Sequence, residues 1–192
     1  MRKATRIMLG GAAILAVAVA AGYAVGVFTR HEKVNEALAR IEWRAEPAAV
    51  PEFSFTDDAG VSHTLADFRG KALIVNFWAT WCAPCVKELP ALDALARAKR
   101  GQGFDVLAIS VDLNGITAVR RFLTDNEIEN LPAYVDARAR ATDTIGAVGL
   151  PVTIIVDARG REIGRASGPV EWNTSEAYAL ADKLSGAALA GK

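Results

Sequence analysis

Two cysteines stand three positions apart in Trp81-Cys82-Ala83-Pro84-Cys85, and they are the only cysteines in the chain. A buried-type run, Ala72–Phe77, precedes them and a helical pattern follows. That order puts Cys82 at a helix N-terminus, where unpaired N–H groups and the helix dipole stabilise a thiolate. The thiolate is the nucleophile of thiol chemistry. Two intervening residues let Cys85 reach back and close a small disulfide ring, and Pro84 restrains it. The expected division of labour is attack by Cys82 and resolution by Cys85.

Other readings of the pair are weaker. A purely structural disulfide of this span constrains the unfolded chain very little. A four-cysteine zinc site is impossible with two Cys, and one of two Cys and two His would need all four residues at a spacing the chain lacks. Copper(I) delivery through two thiolates is a metal-binding alternative. It has His63 as the single His outside the N-terminal 33 residues, and Met1 and Met8 as the only methionines.

Three further positions can bear on a thiol pair. Pro151, in Gly149-Leu150-Pro151-Val152, precedes a strand. As a trans residue it is an ordinary strand start; as a cis residue it turns Leu150 toward the pair. Spacing alone does not choose. Glu88 lies three residues after Cys85, so one helical turn can return it to the pair. Buried, it resists ionising and can move a proton; exposed, it is an ordinary first-turn acid. Trp78 and Trp81 flank the pair as docking surface or as packing. Asn76 in the strand can hydrogen-bond but cannot act as acid or base.

The elements that must position these groups are legible along the chain. Phe53 and Phe55 alternate with polar residues, and Asp57-Asp58-Ala59-Gly60 reads as the turn of a hairpin. Strands are expected at Ala72–Phe77, Phe104–Val111, Thr153–Val156 and Glu162–Ala166. Helices are expected at 84–99, kinked by Pro90, from an Asn114 cap to about Asn126, and at 175–189. Alternating strands and helices imply an α/β sheet covered by helices.

The N-terminus is different. Ile7–Phe28 is 22 residues without a charge, about 33 Å as a helix and enough to span a bilayer core. Arg2, Lys3 and Arg6 precede it, favouring a cytoplasmic N-terminus. The expected organisation is a cytoplasmic tip at 1–6, a single transmembrane anchor at 7–28, a stalk and linker at 29–50 and a folded domain at 51–192. Val34, Leu38 and Ile41 have helical spacing, and Glu46–Pro51 reads as linker. An uncleaved anchor is preferred to a signal peptide, whose apolar region is shorter. Beyond residue 33 the chain carries a net charge of −4 within an overall balance of 22 basic and 22 acidic residues, which does not favour nucleic-acid binding.

These residues resemble the thioredoxin superfamily. The similarity is carried by Val75–Cys85, Glu88-Leu89-Pro90, Gly149-Leu150-Pro151, and Ile155-Val156-Asp157 with Gly160. Within it the chain resembles the membrane-anchored TlpA/ResA/CcmG-like oxidoreductases of the bacterial envelope. Gly168-Pro169-Val170-Glu171-Trp172 is most similar to TlpA-like members. The resemblance spans residues 51–189. It implies a thioredoxin-like α/β fold with an N-terminal β-hairpin addition, a cis Pro151 facing Cys82 and Cys85, and Glu88 as active-site acid. Asn76 stands where cytoplasmic thioredoxins carry a buried Asp, and Val152 stands where relatives often carry Thr. Trp78, Trp81, Ala83, Pro84 and Leu150 are the expected docking residues.

The implied activity is thiol–disulfide exchange in the reducing direction in the periplasm, with no cofactor or metal. The implied partners are a CcdA- or DsbD-like membrane electron donor and disulfide-bearing protein substrates: apocytochrome c or copper-site assembly factors of cytochrome oxidase. An envelope oxidase or isomerase, a copper(I) metallochaperone and a non-catalytic scaffold subunit are the competing readings.

Overall fold

The computed structural model describes residues 38–190. The expected anchor at 7–28, the tip before it and residues 29–37 of the expected stalk lie outside the described residues. Among the described residues no helix is long and apolar enough to cross a membrane.

Eight strands form one mixed sheet: β1 (Ile41–Ala49), β2 (Ser54–Asp57), β3 (Ser62–Thr64), β4 (Ala72–Trp78), β5 (Phe104–Ser110), β6 (Tyr134–Val135), β7 (Val152–Val156) and β8 (Arg161–Ser167). Their order across the sheet is β1-β8-β7-β4-β5-β6-β2-β3. The described helices are α1 (Ala83–Lys99), α2 (Gly115–Asp125), α3 (Arg140–Thr144) and α4 (Ser175–Ala190). A 3-10 turn, Leu65–Phe68, follows β3.

β4 is buried along its whole length, as a central strand must be when both faces are covered. Period-2 geometry sends Ile74, Asn76 and Trp78 to one face and Leu73, Val75 and Phe77 to the other. The first face packs against Leu89, Leu92 and Leu95 of α1 and Ala177, Ala181 and Leu184 of α4. The second packs against Phe53, Phe55, Ala141 and Ile145. β4 runs parallel to β5 and antiparallel to β7. The C-terminal ends of β4 and β5 and the N-terminal end of β7 therefore meet at one edge of the sheet, as the pairs Trp78↔Ser110 and Phe77↔Val152 show.

The expected hairpin is present as β2 and β3, paired from Ser54↔Thr64 to Thr56↔Ser62. The stalk and linker reading of residues up to 50 is corrected over 41–49, which form β1, an edge strand antiparallel to β8. Its helical spacing gives way to sheet pairing because Ile41 buries in the core and Pro47 falls inside a bulge, between Trp43↔Gly164 and Ala48↔Glu162. An edge bulge is where a strand tolerates a proline. Gly164 admits this strand, since a Cβ there would lie 2.9 Å from Trp43 Cε3.

Pro90 lies inside α1, which continues to Lys99. Two smaller differences have local causes. Asn114 precedes α2 but makes no capping hydrogen bond, because its backbone is helical rather than extended. β6 and α3 span two and five residues, too short to show a period.

If β1 belongs to the folded core, Ile41→Ala costs about 2 kcal/mol of stability, read from urea unfolding midpoints. A loss below about 0.5 kcal/mol is the surface-substitution result and would return the segment to a linker.

Candidate active site

β4 ends at Trp78, the chain turns through Ala79–Trp81, and α1 begins at Ala83. The turn is closed by the Cys82 N–H donating to the Ala79 carbonyl at 3.1 Å. Cys82 occupies the cap position of α1, and its carbonyl accepts the Val86 N–H at 3.0 Å. Pro84 sits in the first turn, where its missing N–H costs no helix bond. Cys82 and Cys85 are joined by a disulfide, with Cα atoms 5.3 Å apart. Cys85 is fully buried, while Cys82 retains 6% exposure. The residue nearer the surface is thus the one at the helix end.

The Leu150–Pro151 peptide bond is cis, resolving the alternative that spacing left open. Register places Pro151 at the sheet edge from which Cys82 emerges, one residue before the Val152↔Phe77 pair. The Pro151 carbonyl accepts the Gly168 N–H at 2.8 Å, so the cis-proline loop is tied to the segment leading into α4.

Glu88 is buried, with 5% exposure. Asn76 of β4 donates to its Oε1 at 2.6 Å, and the Val170 N–H donates to its Oε2 at 3.1 Å. The same Asn76 amide reaches Thr153 Oγ1 of β7 at 3.0 Å. One side chain of α1 is thereby linked to β4, β7 and the 168–172 segment. Burial pushes the Glu88 carboxyl up to about 7, against the lowering influence of the Val170 and Asn76 hydrogen bonds. The Trp172 indole also lowers it weakly, although Trp172 Nε1 makes no hydrogen bond of ordinary geometry. A carboxyl of this kind exchanges its proton near neutral pH, one helical turn from Cys85.

The expected docking residues divide. Trp81 is 71% exposed, and Ala83 and Pro84 are exposed beside the disulfide. Leu150 is half-buried. Trp78 is corrected from the docking group to the core: it has no exposed surface and packs on Phe122 at 5.5 Å between ring centroids. It points to the helix-covered face of β4 by strand parity, which its position next to the pair concealed. An open groove of about 340 Å³ runs beside the pair, lined by Ala83, Pro84, Lys87, Glu88, Val170 and Trp172.

Two participants were not foreseen in the sequence. Val170 contributes a backbone N–H, which carries no residue-type signal. Asp112, just beyond β5, accepts hydrogen bonds from Thr80 in the turn before Cys82. Its only sequence trace is an acid at the end of a strand parallel to β4.

Comparisons with known proteins agree with this geometry. A family model described as Redoxin matches residues 45–181. Thiol-disulfide oxidoreductase ResA of Bacillus thuringiensis subsp. konkukian (strain 97-27) is 29% identical over 178 residues, covering 92% of this chain and 96% of its own. ResA of Geobacillus thermodenitrificans (strain NG80-2) is 30% identical over 165 residues, covering 84% and 87%. Among solved structures, a putative thiol-disulfide oxidoreductase from Bacteroides vulgatus superposes with a TM-score of 0.62 at 27% identity, covering 72% of this chain and 96% of that one.

The buried acid has a thermodynamic signature. A carboxyl whose pKa rises on folding holds its proton more tightly in the folded chain. The resulting stability is present below the unfolded value near 4.5 and lost as pH rises through about 7. The oxidised chain is expected to lose about 3 kcal/mol from this group between pH 4.5 and 8. Glu88→Gln removes that dependence, so its stability relative to wild type improves by this amount over the same range. A difference that stays flat with pH in urea unfolding contradicts the raised value.

Proposed function

We propose a reductive role in the cell envelope for this chain, which belongs to the redoxin family and is a thiol–disulfide oxidoreductase related to ResA. The observation that carries the proposal is the buried Glu88 one turn behind the Cys82–Cys85 pair, its carboxyl pushed up to about 7 by burial. Within the family we place the chain beside TlpA-like members, on the segment Gly168–Trp172 that supplies the Val170 contact to Glu88.

In the reduced enzyme the Cys82 thiolate attacks one sulfur of a substrate disulfide. A mixed disulfide forms, and the other substrate sulfur leaves as a thiolate and takes a proton. Glu88, when ionised, accepts the Cys85 proton. Cys85 then attacks the Cys82 sulfur, the mixed disulfide breaks, and the second substrate sulfur leaves as a thiolate that takes the proton from Glu88. Two electrons have passed to the substrate, and the enzyme holds the Cys82–Cys85 disulfide. The cis Pro151 and the exposed Trp81, Ala83 and Pro84 form the surface on which the substrate segment lies.

The finer assignments are part of the same proposal. Residues 7–28 anchor the chain in the inner membrane with the N-terminus cytoplasmic and the catalytic domain periplasmic. A CcdA- or DsbD-like transporter restores the dithiol. The substrates are disulfides of apocytochrome c or of copper-site assembly factors. The apolar, charge-free span and the basic residues before it support the anchor. Tethering raises the effective concentration of enzyme, donor and target in one membrane.

Cys82→Ser is expected to abolish reduction of insulin disulfides, while Cys85→Ser accumulates mixed disulfides that survive non-reducing electrophoresis. Full turnover by Cys82→Ser would overturn the assignment of the attacking cysteine. Glu88→Gln is expected to fold and to slow exchange roughly 100-fold or more near neutral pH, the usual range for loss of a proton-transfer group. Stopped-flow rates that match wild type from pH 6 to 8 would remove Glu88 from the chemistry.

A further inference from the structure

A second buried acid is bound to the turn that leads into the pair and has no part in the steps above. Asp112 follows β5 and is 2% exposed. Its Oδ2 accepts the Thr80 backbone N–H at 2.9 Å and the Ser110 hydroxyl at 2.6 Å, and its Oδ1 accepts the Thr80 hydroxyl at 2.7 Å. The Asp112 N–H in turn donates to Ser110 Oγ at 3.0 Å. Every donor to the carboxylate is neutral. A buried carboxylate held without a cation is costly, and an asparagine could brace the same turn with less desolvation. The charge itself therefore calls for a role.

Thr80 stands two residues before Cys82, and the turn between them closes on the Ala79 carbonyl. Chain geometry limits the Thr80 and Cys82 Cα atoms to about 7 Å apart. Adding the Thr80 hydrogen bond and the reach of the Cys82 side chain, the Asp112 carboxylate lies within roughly 14 Å of the Cys82 sulfur. At that separation, and at the effective dielectric of a protein, a unit charge alters a thiol's ionisation constant about tenfold. The sign is fixed: negative charge opposes a thiolate, against the pull of the α1 N-terminus.

We infer that Asp112 is a positioning residue for the exchange reaction, which fixes the turn that presents Cys82 and opposes ionisation of its thiol. The inference rests on Cys82 being the attacking cysteine. Lys87 and Glu88 on α1 and Glu171 before α4 line the groove beside the pair, Asp136 after β6 lies against Ser110, and residues 146–151 of the cis-proline loop carry no charge. A reductase gains from this arrangement. A less stabilised thiolate makes the dithiol a stronger electron donor at pH values above the thiol's own midpoint.

The test compares the reduced full chain with Asp112→Asn, which keeps an oxygen acceptor and loses the charge. Alkylation by iodoacetamide is followed against pH, with the labelled cysteine identified by mass spectrometry. The midpoint for Cys82 is expected to fall by about one pH unit in Asp112→Asn. Thr80→Val, which loses a hydroxyl bond but leaves the charge, is expected to move it by far less. Reduction potentials of wild type and Asp112→Asn should coincide below both midpoints. Above them the variant should be more oxidising, by about 30 mV for a tenfold change in the ionisation constant of the thiol.

Equal midpoints in a folded Asp112→Asn, with Cys82 labelled, overturn the inference alone. A change in Thr80→Val as large as in Asp112→Asn overturns the role of charge. Labelling of Cys85 before Cys82 in wild type overturns both this inference and the assigned roles of the pair. If Asp112→Asn does not fold, Asp112→Ser, a smaller neutral replacement, is measured in its place under the same criteria.

Discussion

Burial of the Glu88 carboxyl is the constraint on which the arrangement of this site depends. A carboxyl removed from water must either keep its proton or be met by donors. Here it is met by two, the Asn76 amide and the Val170 N–H. Those donors come from the central strand and from the chain before α4. Satisfying one acid therefore fixes three elements in register: α1, which carries the cysteines, β4, which delivers them, and the segment beneath the groove. Asn76 extends the link to Thr153, two residues after the cis proline. The two donors lower the carboxyl's pKa, burial raises it, and burial prevails. The outcome is an acid that titrates in the pH range where thiols exchange.

The sheet supplies the frame for this. Parallel β4 and β5 end at the same edge at which antiparallel β7 begins. Three loops meet there without any long excursion of the chain: the turn into Cys82, the turn carrying Asp112, and the cis-proline loop. Each is held by hydrogen bonds from a neighbouring element. Thr80 is bound to Asp112, and the Pro151 carbonyl to Gly168. At the far edge, β1 covers β8, and its Arg44 pairs with the buried Glu162, which Arg165 also contacts. Arg165 donates in turn to the Ile145 carbonyl, at the start of the segment leading to Pro151.

Much of this was legible in residues 53–190. The cysteine pair at a strand–helix junction, the hairpin, the all-apolar β4 and the late strands each left a local pattern, and the resemblance supplied the cis state of Pro151. Other features left no such trace. β1 contains Pro47 and shows helical spacing at its start, and only pairing with β8 across a bulge makes it a strand. Trp78 is adjacent to the cysteines in sequence but is wholly buried in the core. Burial of Glu88 was undecided from spacing because it depends on Val170, 82 residues away in the chain. Asp112 acts through a partner 32 residues distant. Local patterns reveal elements; the protonation chemistry arises where elements far apart in sequence close on one another.

The direction of electron flow is the central claim, and the reduction potential of the Cys82–Cys85 pair tests it most directly. The full chain is equilibrated with defined dithiol/disulfide buffers at pH 7, and the oxidised fraction is read after acid quenching and thiol labelling. The account predicts a value at or below about −200 mV, toward the thioredoxin end of the scale. A value near −120 mV, about that of a strong envelope oxidant, would contradict it and make the pair a source of disulfides instead.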